Sequence, residues 1–355
     1  MKVTTNDIAK AAGVSQSTVS IVLSDNRKVA ISPETRSRVL KTAEEMGYRR
    51  KKTTERKSRE KKSTIGLLVP TLSNLYYPFL IQSVEAYANT MGWTIVVQNT
   101  MRDQEQEEKC IQFFREIDAR GVLCLYSPKT EISRVLPTVI VGERLSGVEV
   151  DTVSLNSYSA GCMIAEHLLS LGHKDIAYVT TPLCNVTDAR RKRLEGIQSV
   201  MRKADILDRL VIMVDDEENE TTDTTYEFDC GRRLTMKLLE KDPQCTAIIA
   251  VNDMTAWGCI EMLNSKGIKI PNEMSIGAFD NLMMDTMLTP KLTSVDQMAF
   301  HGCKIGLNVL LQKINSSAGT EEPIYMEYKP KLYVRESTGK AKKQDSASIV
   351  EAEQK

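Results

Sequence analysis

The sequence of 355 residues predicts an α/β fold of two Rossmann-like lobes with parallel sheets, preceded by a small all-α domain. Three observations predict this architecture. From residue 64 onward, short and nearly continuous apolar runs alternate with helical stretches, as in parallel sheets covered on both faces. The alternation then restarts near Ser159, which indicates a second lobe. The first 48 residues carry helical patterns only.

The elements of both lobes follow from apolar periodicity. In the first lobe we expect strands at 64–70, 93–98 and 121–126 and helices at 77–91 and 104–117. In the second lobe we expect helices at 159–170, 190–204 and 255–266 and strands at 175–180, 247–251 and 275–279. Two successive sets of this kind predict a ligand site in the cleft between the lobes.

The N-terminal run TNDIAKAAGVSQSTVSIVL, residues 5–23, has the spacing of a helix–turn–helix. Thr5 or Asn6 is expected to cap the first helix, Gly13 to form the tight turn and Ser15 to cap the second helix. A third helix is expected to begin at Ser32 and Pro33. Its expected core residues are Val39, Leu40, Ala43 and Met46.

The charge distribution supports nucleic-acid binding by this end of the chain. Residues 1–62 carry 16 Lys and Arg against 7 Asp and Glu, although the whole chain has no net charge. A basic end on an acidic body is expected where only the first part meets a polyanion. A three-helix bundle that binds protein is the alternative, but the basic balance and the turn favour DNA.

Two N-terminal runs, NDIAKAAGVSQSTVSIVL and ISPETRSRVLKTAEEMGY, resemble the lactose-repressor/galactose-repressor (LacI/GalR) family of bacterial transcriptional regulators. The resemblance continues to about Ser337 through TIGLLVP, LLSLGHKDIAYV, AVNDMTAWG and IPNEMSIGAFDN. It implies a ligand-responsive regulator of the repressor type. Its sensor would be similar to periplasmic sugar-binding proteins, with two lobes joined by three crossings. It also implies a homodimer on operator DNA and leaves a tetramer open.

Four regions are therefore expected. Residues 1–48 form a DNA-binding headpiece, residues 49–63 a basic hinge, residues 64–338 the effector-binding and dimerisation domain, and residues 339–355 a disordered tail. Within the third region, the N-lobe is expected at about 64–158 plus 291–320, and the C-lobe at about 159–290 plus 321–338.

The resemblance implies that Gln16 and Ser17 read bases, with Ser20 and Ile21 one turn further along. Ile21 stands where the family usually has an arginine, and it could contact a thymine methyl group instead. Short polar side chains near the start of the second helix suit base edges and phosphates. The predicted DNA-contacting set is Thr5, Ser15, Gln16, Ser17, Thr18, Ser20, Ile21, Ser32, Thr35, Arg49, Arg50, Lys51 and Lys57.

The connector 49–62 contains nine basic and two acidic residues. Because it directly follows a helix–turn–helix, we expect it to contact phosphates rather than to be only a solvated linker. The family's hinge usually inserts a leucine into the minor groove, but Lys57 occupies that position here, and Arg50 and Lys51 replace the usual Pro-Asn start. We expect a phosphate-tracking linker with a steep salt dependence.

The predicted ligand-binding residues combine position with resemblance. Tyr76 and Tyr77 follow the first strand, and Asn252 and Asp253 follow a later one, where one of the two should cap the next helix. By resemblance, Arg193, Tyr226 and Asp280 are ligand contacts. Such chemistry favours a sugar, while a purine or nucleoside would use similar parts. Leu75 replaces a usual proline, which leaves a protein effector open.

Other function classes find little support. The sequence has no nucleophile–base pairing, P-loop or GxGxxG, so we expect neither an enzyme nor a cofactor. Eight scattered cysteines and three histidines have no metal-ligand spacing and suit a reducing compartment. Residues 1–13 are polar, and no long apolar run occurs, so we expect a cytoplasmic protein rather than a secreted solute-binding protein or a membrane protein.

Overall fold

The computed structural model describes residues 3–23, 31–48, 63–143, 149–183, 188–216, 223–242, 244–316 and 322–342. The chain divides into two compact units, Met1–Lys61 and Lys62–Lys355. The predicted connector contacts Arg49, Arg50, Lys51 and Lys57 lie outside the described residues, as does the tail beyond residue 342.

The described part of the first unit contains three helices, namely α1 (Thr5–Ala12), α2 (Gln16–Leu23) and α3 (Pro33–Glu45). Thr4 caps α1, so the prediction of Thr5 or Asn6 is wrong by one or two positions. The reason is a reciprocal capping box. The hydroxyl of Thr4 accepts from the Asp7 amide at 3.3 Å, and the Asp7 carboxylate accepts from the Thr4 amide at 2.9 Å.

The turn and the next two helix starts form as predicted. Gly13 has a φ of 63°, which a residue with a Cβ rarely adopts. Ser15 accepts from the Thr18 amide at 3.1 Å, and Ser32 accepts from the Thr35 amide at 3.2 Å. These bonds fix the starts of α2 and α3.

A small apolar core joins the three helices and includes Ile8, Val19 and Val39. Leu40 was expected in this core, but it is 48% exposed. Val39 and Ala43, one turn apart, already fill the inward face of α3, which turns Leu40 toward solvent.

The second unit contains two lobes, each built on a six-stranded sheet. The N-lobe begins with β1 (Thr64–Val69), α4 (Tyr76–Thr90), β2 (Thr94–Asn99), α5 (Gln104–Glu116), β3 (Val122–Cys124), β4 (Thr138–Gly142) and β5 (Asp151–Ser154). The C-lobe contains α6 (Ser157–Ser170), β6 (Ile176–Thr180), α7 (Asp188–Lys203), β7 (Leu210–Val214), α8 (Tyr226–Lys241), β8 (Ala247–Ala250), α9 (Asp253–Ser265), β9 (Ser275–Phe279) and β10 (Thr293–Asp296). The chain then forms α10 (Ala299–Asn315), β11 (Tyr325–Glu327) and β12 (Lys331–Tyr333).

The strand order is β11-β5-β4-β3-β1-β2 in the N-lobe and β12-β10-β9-β8-β6-β7 in the C-lobe. All described neighbours pair in parallel except β10 and β12, which are antiparallel. Apolar clusters cover both faces of each sheet, and helices α4 and α10 lie against one face of the N-lobe sheet. The predicted class of fold is therefore confirmed.

The expected lobe boundaries near the end of the chain are wrong in two places. Residues 291–320 were assigned to the N-lobe, but β10 lies in the C-lobe sheet beside β9. Residues 321–338 were assigned to the C-lobe, but β11 lies in the N-lobe sheet beside β5. The chain crosses after β5, β10 and β11, and the last two crossings fall later than the sequence pattern suggested.

The first residues of the expected disordered tail are packed on the C-lobe. The Gly339 amide donates to Ser275 Oγ at 3.0 Å, and the Ala341 amide donates to the Leu171 carbonyl at 2.9 Å. His173 Nε2 lies 3.0 Å from the Gly339 carbonyl oxygen, which gives this histidine a structural role. The prediction of disorder is therefore wrong for residues 339–342. No helix in the described ranges is long and apolar enough to cross a membrane.

Candidate functional site

A small cavity of about 90 Å³ lies where the carboxyl ends of the strands of the two lobes meet. Both lobes contribute to its lining. Five of the seven predicted ligand-binding residues line it, namely Tyr76, Tyr77, Arg193, Asn252 and Asp280. The cavity is thus at the place where doubly wound sheets bind ligands.

Tyr76 and Tyr77 are the first two residues of α4, and their rings meet edge to face with centroids 5.3 Å apart. The side-chain oxygen of Asn74 accepts a hydrogen bond from the Tyr76 amide at 2.8 Å, and this bond fixes the start of the helix. Burial raises the pKa of both phenols, and the Asp280 carboxylate adds to the effect. Both hydroxyls therefore stay neutral and can donate or accept hydrogen bonds.

Arg193 lies at the centre of the C-lobe wall. Its guanidinium stacks on the Phe279 ring at 4.6 Å from the centroid and donates to the Val251 carbonyl and the Gln297 side chain. One guanidinium nitrogen lies 3.5 Å from Asp280 Oδ1. The Nε of Arg193 is buried and has no hydrogen-bond partner in the described part of the chain.

Asp280 follows β9 in a left-handed backbone conformation with a φ of 112°. Its amide donates to the Val295 carbonyl at 3.1 Å, which anchors the turn to β10. Burial raises the pKa of Asp280 to about 8, and the nearby Arg193 opposes that shift. Unusual backbone conformations of this kind cluster at ligand sites.

Close packing between α6 and α7 sets the position of Arg193. A Cβ on Gly161 would lie 2.1 Å from the Arg193 carbonyl oxygen, and a Cβ on Gly196 would lie 2.1 Å from the Tyr158 carbonyl oxygen. Only glycine permits so close an approach of the two backbones. This contact places the backbone of Arg193 directly on α6.

Glu227 is the main cleft residue that sequence reasoning missed. Its Oε2 accepts from Asn74 Nδ2 at 2.6 Å and from Asn252 Nδ2 at 2.9 Å, and Arg102 Nη2 lies 3.9 Å from its Oε1. Asn74 and Arg102 belong to the N-lobe, whereas Glu227 and Asn252 belong to the C-lobe. Glu227 therefore links the lobes across the cavity. The sequence signal for Glu227 was its position directly after Tyr226, which was itself a predicted ligand contact.

A second carboxylate joins the lobes from the opposite direction. Glu143, which follows β4 in the N-lobe, accepts from Lys192 Nζ of α7 at 2.8 Å. Its other oxygen accepts from the Ser157 amide at 3.0 Å. The cavity is thus flanked by polar contacts between the lobes. The sequence analysis also missed several lining residues, namely Asn74, Arg102, Tyr126, Ser127, Glu143, Ser157, Arg190 and Gln297.

Two predicted ligand contacts lie elsewhere. Tyr226 packs in the C-lobe core, and its hydroxyl donates to Asp215 at 3.2 Å. Asp253 is fully buried and accepts from Ser294 Oγ at 2.7 Å and from the Leu282 amide at 2.8 Å. Neither side chain lines the cavity, because each already has a buried partner beneath it.

Asn252 is the residue of the Asn252–Asp253 pair that caps α9, and it accepts from the Thr255 amide at 2.9 Å. Asp253 instead forms a buried carboxyl pair with Asp285. Burial and the Asp285 charge raise the pKa of Asp253 well above its usual value. A proton on Asp253 would relieve the repulsion between two carboxyls at this depth.

In the first unit, part of the predicted DNA-contacting set, namely Thr5, Ser15, Gln16, Ser17 and Thr18, lies around the start of α2. Gln16 Nε2 donates to Thr5 Oγ1 at 3.3 Å, and the hydroxyls of Ser15 and Ser17 lie 2.7 Å apart. Gln16, Ser17 and Ser20 are exposed, whereas Thr18 and Ile21 are half-buried. Ser32 and Thr35 lie together at the start of α3, with hydroxyl oxygens 2.9 Å apart.

Comparison with known proteins agrees with this geometry. Residues 4–51 match the bacterial regulatory proteins of the lacI family, and residues 165–338 match a periplasmic binding protein-like domain. The transcriptional regulator DegA of Bacillus subtilis is 30% identical over 307 residues, which cover 84% of this chain and 87% of DegA. The chain belongs to the LacI family. It is accordingly a DNA-binding transcriptional regulator, as the N-terminal motif predicted, and the family is one of regulators rather than enzymes.

Other LacI-family proteins resemble most of the chain. The ribose operon repressor of Halalkalibacterium halodurans is 29% identical over 337 residues, which cover 94% of this chain and 97% of the repressor. A LacI-family regulator from Enterococcus faecium, solved with bound ribose, superposes with a TM-score of 0.66 at 24% identity, covering 79% of this chain and 100% of that one. The latter likeness shows the fold alone.

Proposed function

We propose that this LacI-family regulator binds operator DNA as a homodimer in the bacterial cytoplasm and changes its DNA affinity when a sugar occupies the cleft. The observation that carries the proposal is that Arg193 and Asp280 of the C-lobe and Tyr76 and Tyr77 of the N-lobe line one cavity between the lobes. A sugar hydroxyl would accept a hydrogen bond from Arg193 and form another with the Asp280 carboxyl group, as donor or acceptor according to the protonation of that group.

The remaining cleft groups suit a neutral, hydroxyl-bearing ligand. The two tyrosines offer aromatic edges and neutral hydroxyls, and Asn252 offers an amide. The relative named a ribose operon repressor and the fold neighbour with bound ribose support a sugar. Glu227 favours a purine or nucleoside as the second candidate, since a carboxylate accepts hydrogen bonds from ring N–H groups.

For DNA recognition we propose that the exposed start of α2 enters the major groove. Gln16 and Ser17 would contact base edges, with Ser20 and Ile21 one turn further along. Thr5, Ser15, Thr18, Ser32 and Thr35 would dock on phosphates and sugars. The connector residues Arg49, Arg50, Lys51 and Lys57 would follow the phosphate backbone, and each phosphate contact would add about 0.9 to the log–log salt slope.

Coupling between the two functions would run through lobe closure. Glu227 and Glu143 hold the lobes together by direct contacts with Asn74 and Lys192, so a ligand that replaces these partners changes the closure energy. A ligand shifts such an equilibrium only by its differential affinity for the two states, typically about 1–3 kcal/mol. The coupling has one of two signs: the ligand either lowers the DNA affinity, which is induction, or raises it, which is co-repression.

A thermal-shift screen of the full chain with sugars and nucleosides tests the proposal. A specific effector raises the melting temperature by mass action. The Asp280→Ala variant should lose that shift, whereas the matched Asp208→Ala variant, which removes an exposed carboxylate outside the cleft, should keep it. Retention of the full shift by Asp280→Ala would refute the assigned cleft.

A further inference from the structure

The chain passes between the two lobes through very short segments. The first crossing, between β5 and α6, consists of Leu155 and Asn156, and the second, between β10 and α10, consists of Gln297 and Met298. Because only two residues carry each of these connections, a rotation of one lobe against the other must change the backbone of these residues. These four residues are therefore where the lobes turn.

Each of these two crossings contains a residue in the left-handed conformation. Asn156 has a φ of 42° and Met298 has a φ of 61°, and each residue directly precedes a helix. Left-handed backbone is uncommon for residues with a Cβ, and it is less common for methionine than for asparagine. Surrounding contacts must hold such a residue in place. At Met298 the second crossing thus has a backbone conformation that the local sequence does not favour by itself.

Gln297 joins the two crossings through its side-chain amide. Its Nε2 donates to the Leu155 carbonyl at 3.0 Å and to Ser157 Oγ at 2.8 Å. Gln297 and Ser157 are only 4% and 1% exposed, so both bonds form away from water. A buried hydrogen bond is costly to break when no other partner replaces it. The amide of Gln297 therefore fixes the first crossing against the second.

The same amide also holds Arg193 in the cleft. Gln297 Oε1 accepts from Arg193 Nη2. The orientation of the amide is fixed by its partners, because the Leu155 carbonyl can only accept and the guanidinium can only donate. A flipped amide would place acceptor against acceptor and donor against donor. Gln297 thus contacts the cleft with its oxygen and the first crossing with its nitrogen.

The third crossing, which follows β11, is bonded to the first. Tyr328 donates its amide to the Ser154 carbonyl at 3.0 Å, and Asn156 Nδ2 donates to Glu327 Oε1 at 2.6 Å. A displacement of the first crossing is therefore passed to the third. The hydrogen bonds that begin at Gln297 reach all three connections between the lobes.

We propose that Gln297 is the positioning residue that couples the cleft to the lobe crossings. A ligand that moves Arg193 withdraws the guanidinium from Gln297 Oε1, and the amide then loses the alignment that keeps its bonds to Leu155 and Ser157. The lobes change their relative orientation as a result. This inference rests on the proposed response to a ligand in the cleft, and it names the residue through which that response leaves the cleft.

A double-mutant cycle in the full chain tests this coupling without any ligand. Two fluorophores replace exposed residues, one at Glu108 of α5 in the N-lobe and one at Arg202 of α7 in the C-lobe. The labelled chain is mixed with an excess of unlabelled chain, so that single-molecule energy transfer reports on one pair of lobes. The measured quantity is the ratio of the population with separated lobes to the population with closed lobes.

Arg193→Met and Gln297→Leu should each raise this ratio about fivefold, as expected for one lost hydrogen bond. The other described contacts of Arg193, with Val251, Phe279 and Asp280, lie within the C-lobe. The effect of Arg193 on the lobes should therefore pass through Gln297. The double variant Arg193→Met/Gln297→Leu should show the ratio of Gln297→Leu alone.

Glu227→Ala is the matched control. It breaks the link to Asn74, and the described contacts of Glu227 include no partner of Gln297. Its effect should therefore multiply with that of Gln297→Leu. A glutamine with a merely structural role would give multiplied effects with Arg193→Met as well, and that result would overturn the inference. A wild-type ratio in Gln297→Leu would overturn it too.

Ser157→Ala provides a second test in case Arg193→Met does not unfold cooperatively on heating. It removes the hydroxyl that accepts from Gln297 Nε2, so it should raise the ratio alone and add nothing to Gln297→Leu. Multiplied effects of these two variants speak against the coupling. Failure here leaves the proposed ligand response standing, because the thermal shift of Asp280→Ala tests that response separately.

Discussion

The Gly161→Ala variant should bind the effector more weakly while it still folds, with a moderate loss of stability. A Cβ at this position would lie 2.1 Å from the carbonyl oxygen of Arg193, whereas real Cβ contacts are almost never under 3.0 Å. Helices α6 and α7 must therefore separate by about 0.9 Å. Overpacking of this kind costs about 1–3 kcal/mol, and a sensor of this size should lose about 2–4 °C of melting temperature per kcal/mol.

The same displacement moves the Arg193 guanidinium away from Asp280, which lies 3.5 Å away. We therefore expect the effector affinity, measured by calorimetry, to fall at least tenfold. Gly121→Ala is the matched control. Its Cβ would lie 2.8 Å from the Pro137 carbonyl oxygen, at the end of the sheet away from the cleft, so stability should fall while affinity stays. Equal affinity in wild type and Gly161→Ala would refute the assigned positioning of Arg193.

Three further predictions follow from the buried charges and the connector. Asp253→Asn should lower the free energy of unfolding in urea only slightly, because an amide replaces a protonated acid. Asp253→Ala should lower it by about 1–3 kcal/mol, because Ser294 and the Leu282 amide lose their acceptor; equal losses in the two variants would contradict a protonated Asp253. Because the pKa of Asp280 is raised, the folded state holds the proton of this carboxyl more tightly than the unfolded state does. The stability of the wild type relative to Asp280→Asn should therefore fall as pH rises from about 4 to about 8, and a stability difference that stays constant with pH would exclude the raised pKa. DNA affinity should fall steeply with salt if residues 49–62 contact phosphates, and a log–log slope near zero would exclude it.

Local sequence patterns predicted most elements of the fold. The helix expected at 104–117 forms at Gln104–Glu116, and the strand expected at 275–279 forms at Ser275–Phe279. Such features depend on neighbouring residues, because periodicity and capping act over a few positions. The pairing of β11 with β5 could not be read in this way, since it joins Tyr325 to Thr152, 173 positions earlier. The strand β10 pairs with β9 only 16 positions earlier, Thr293 beside Gly277, so its misplacement came from setting the crossing too early.

The residues of the candidate site likewise divide into those that local patterns predicted and those whose contacts are distant in sequence. Arg193 and Asp280 line the cavity, and both were placed by motif and position. Tyr226 and Glu227 differ by one residue at the start of α8, and a rotation of about 100° along the helix decides which of them faces the cavity. The contact between Asn74 and Glu227 joins residues 153 positions apart, and no local pattern signals it.

The central claim is that a ligand in the cleft controls the DNA grip of this regulator, and one titration tests it most directly. Operator fragments would first be selected from random DNA with the full chain, and binding would then be followed by fluorescence anisotropy at fixed salt. The account predicts that the sugar identified by thermal shift changes DNA affinity about 5- to 150-fold, and that Asp280→Ala binds DNA normally but no longer responds. DNA affinity that stays unchanged at saturating sugar, in a wild-type chain shown to bind that sugar, would contradict it.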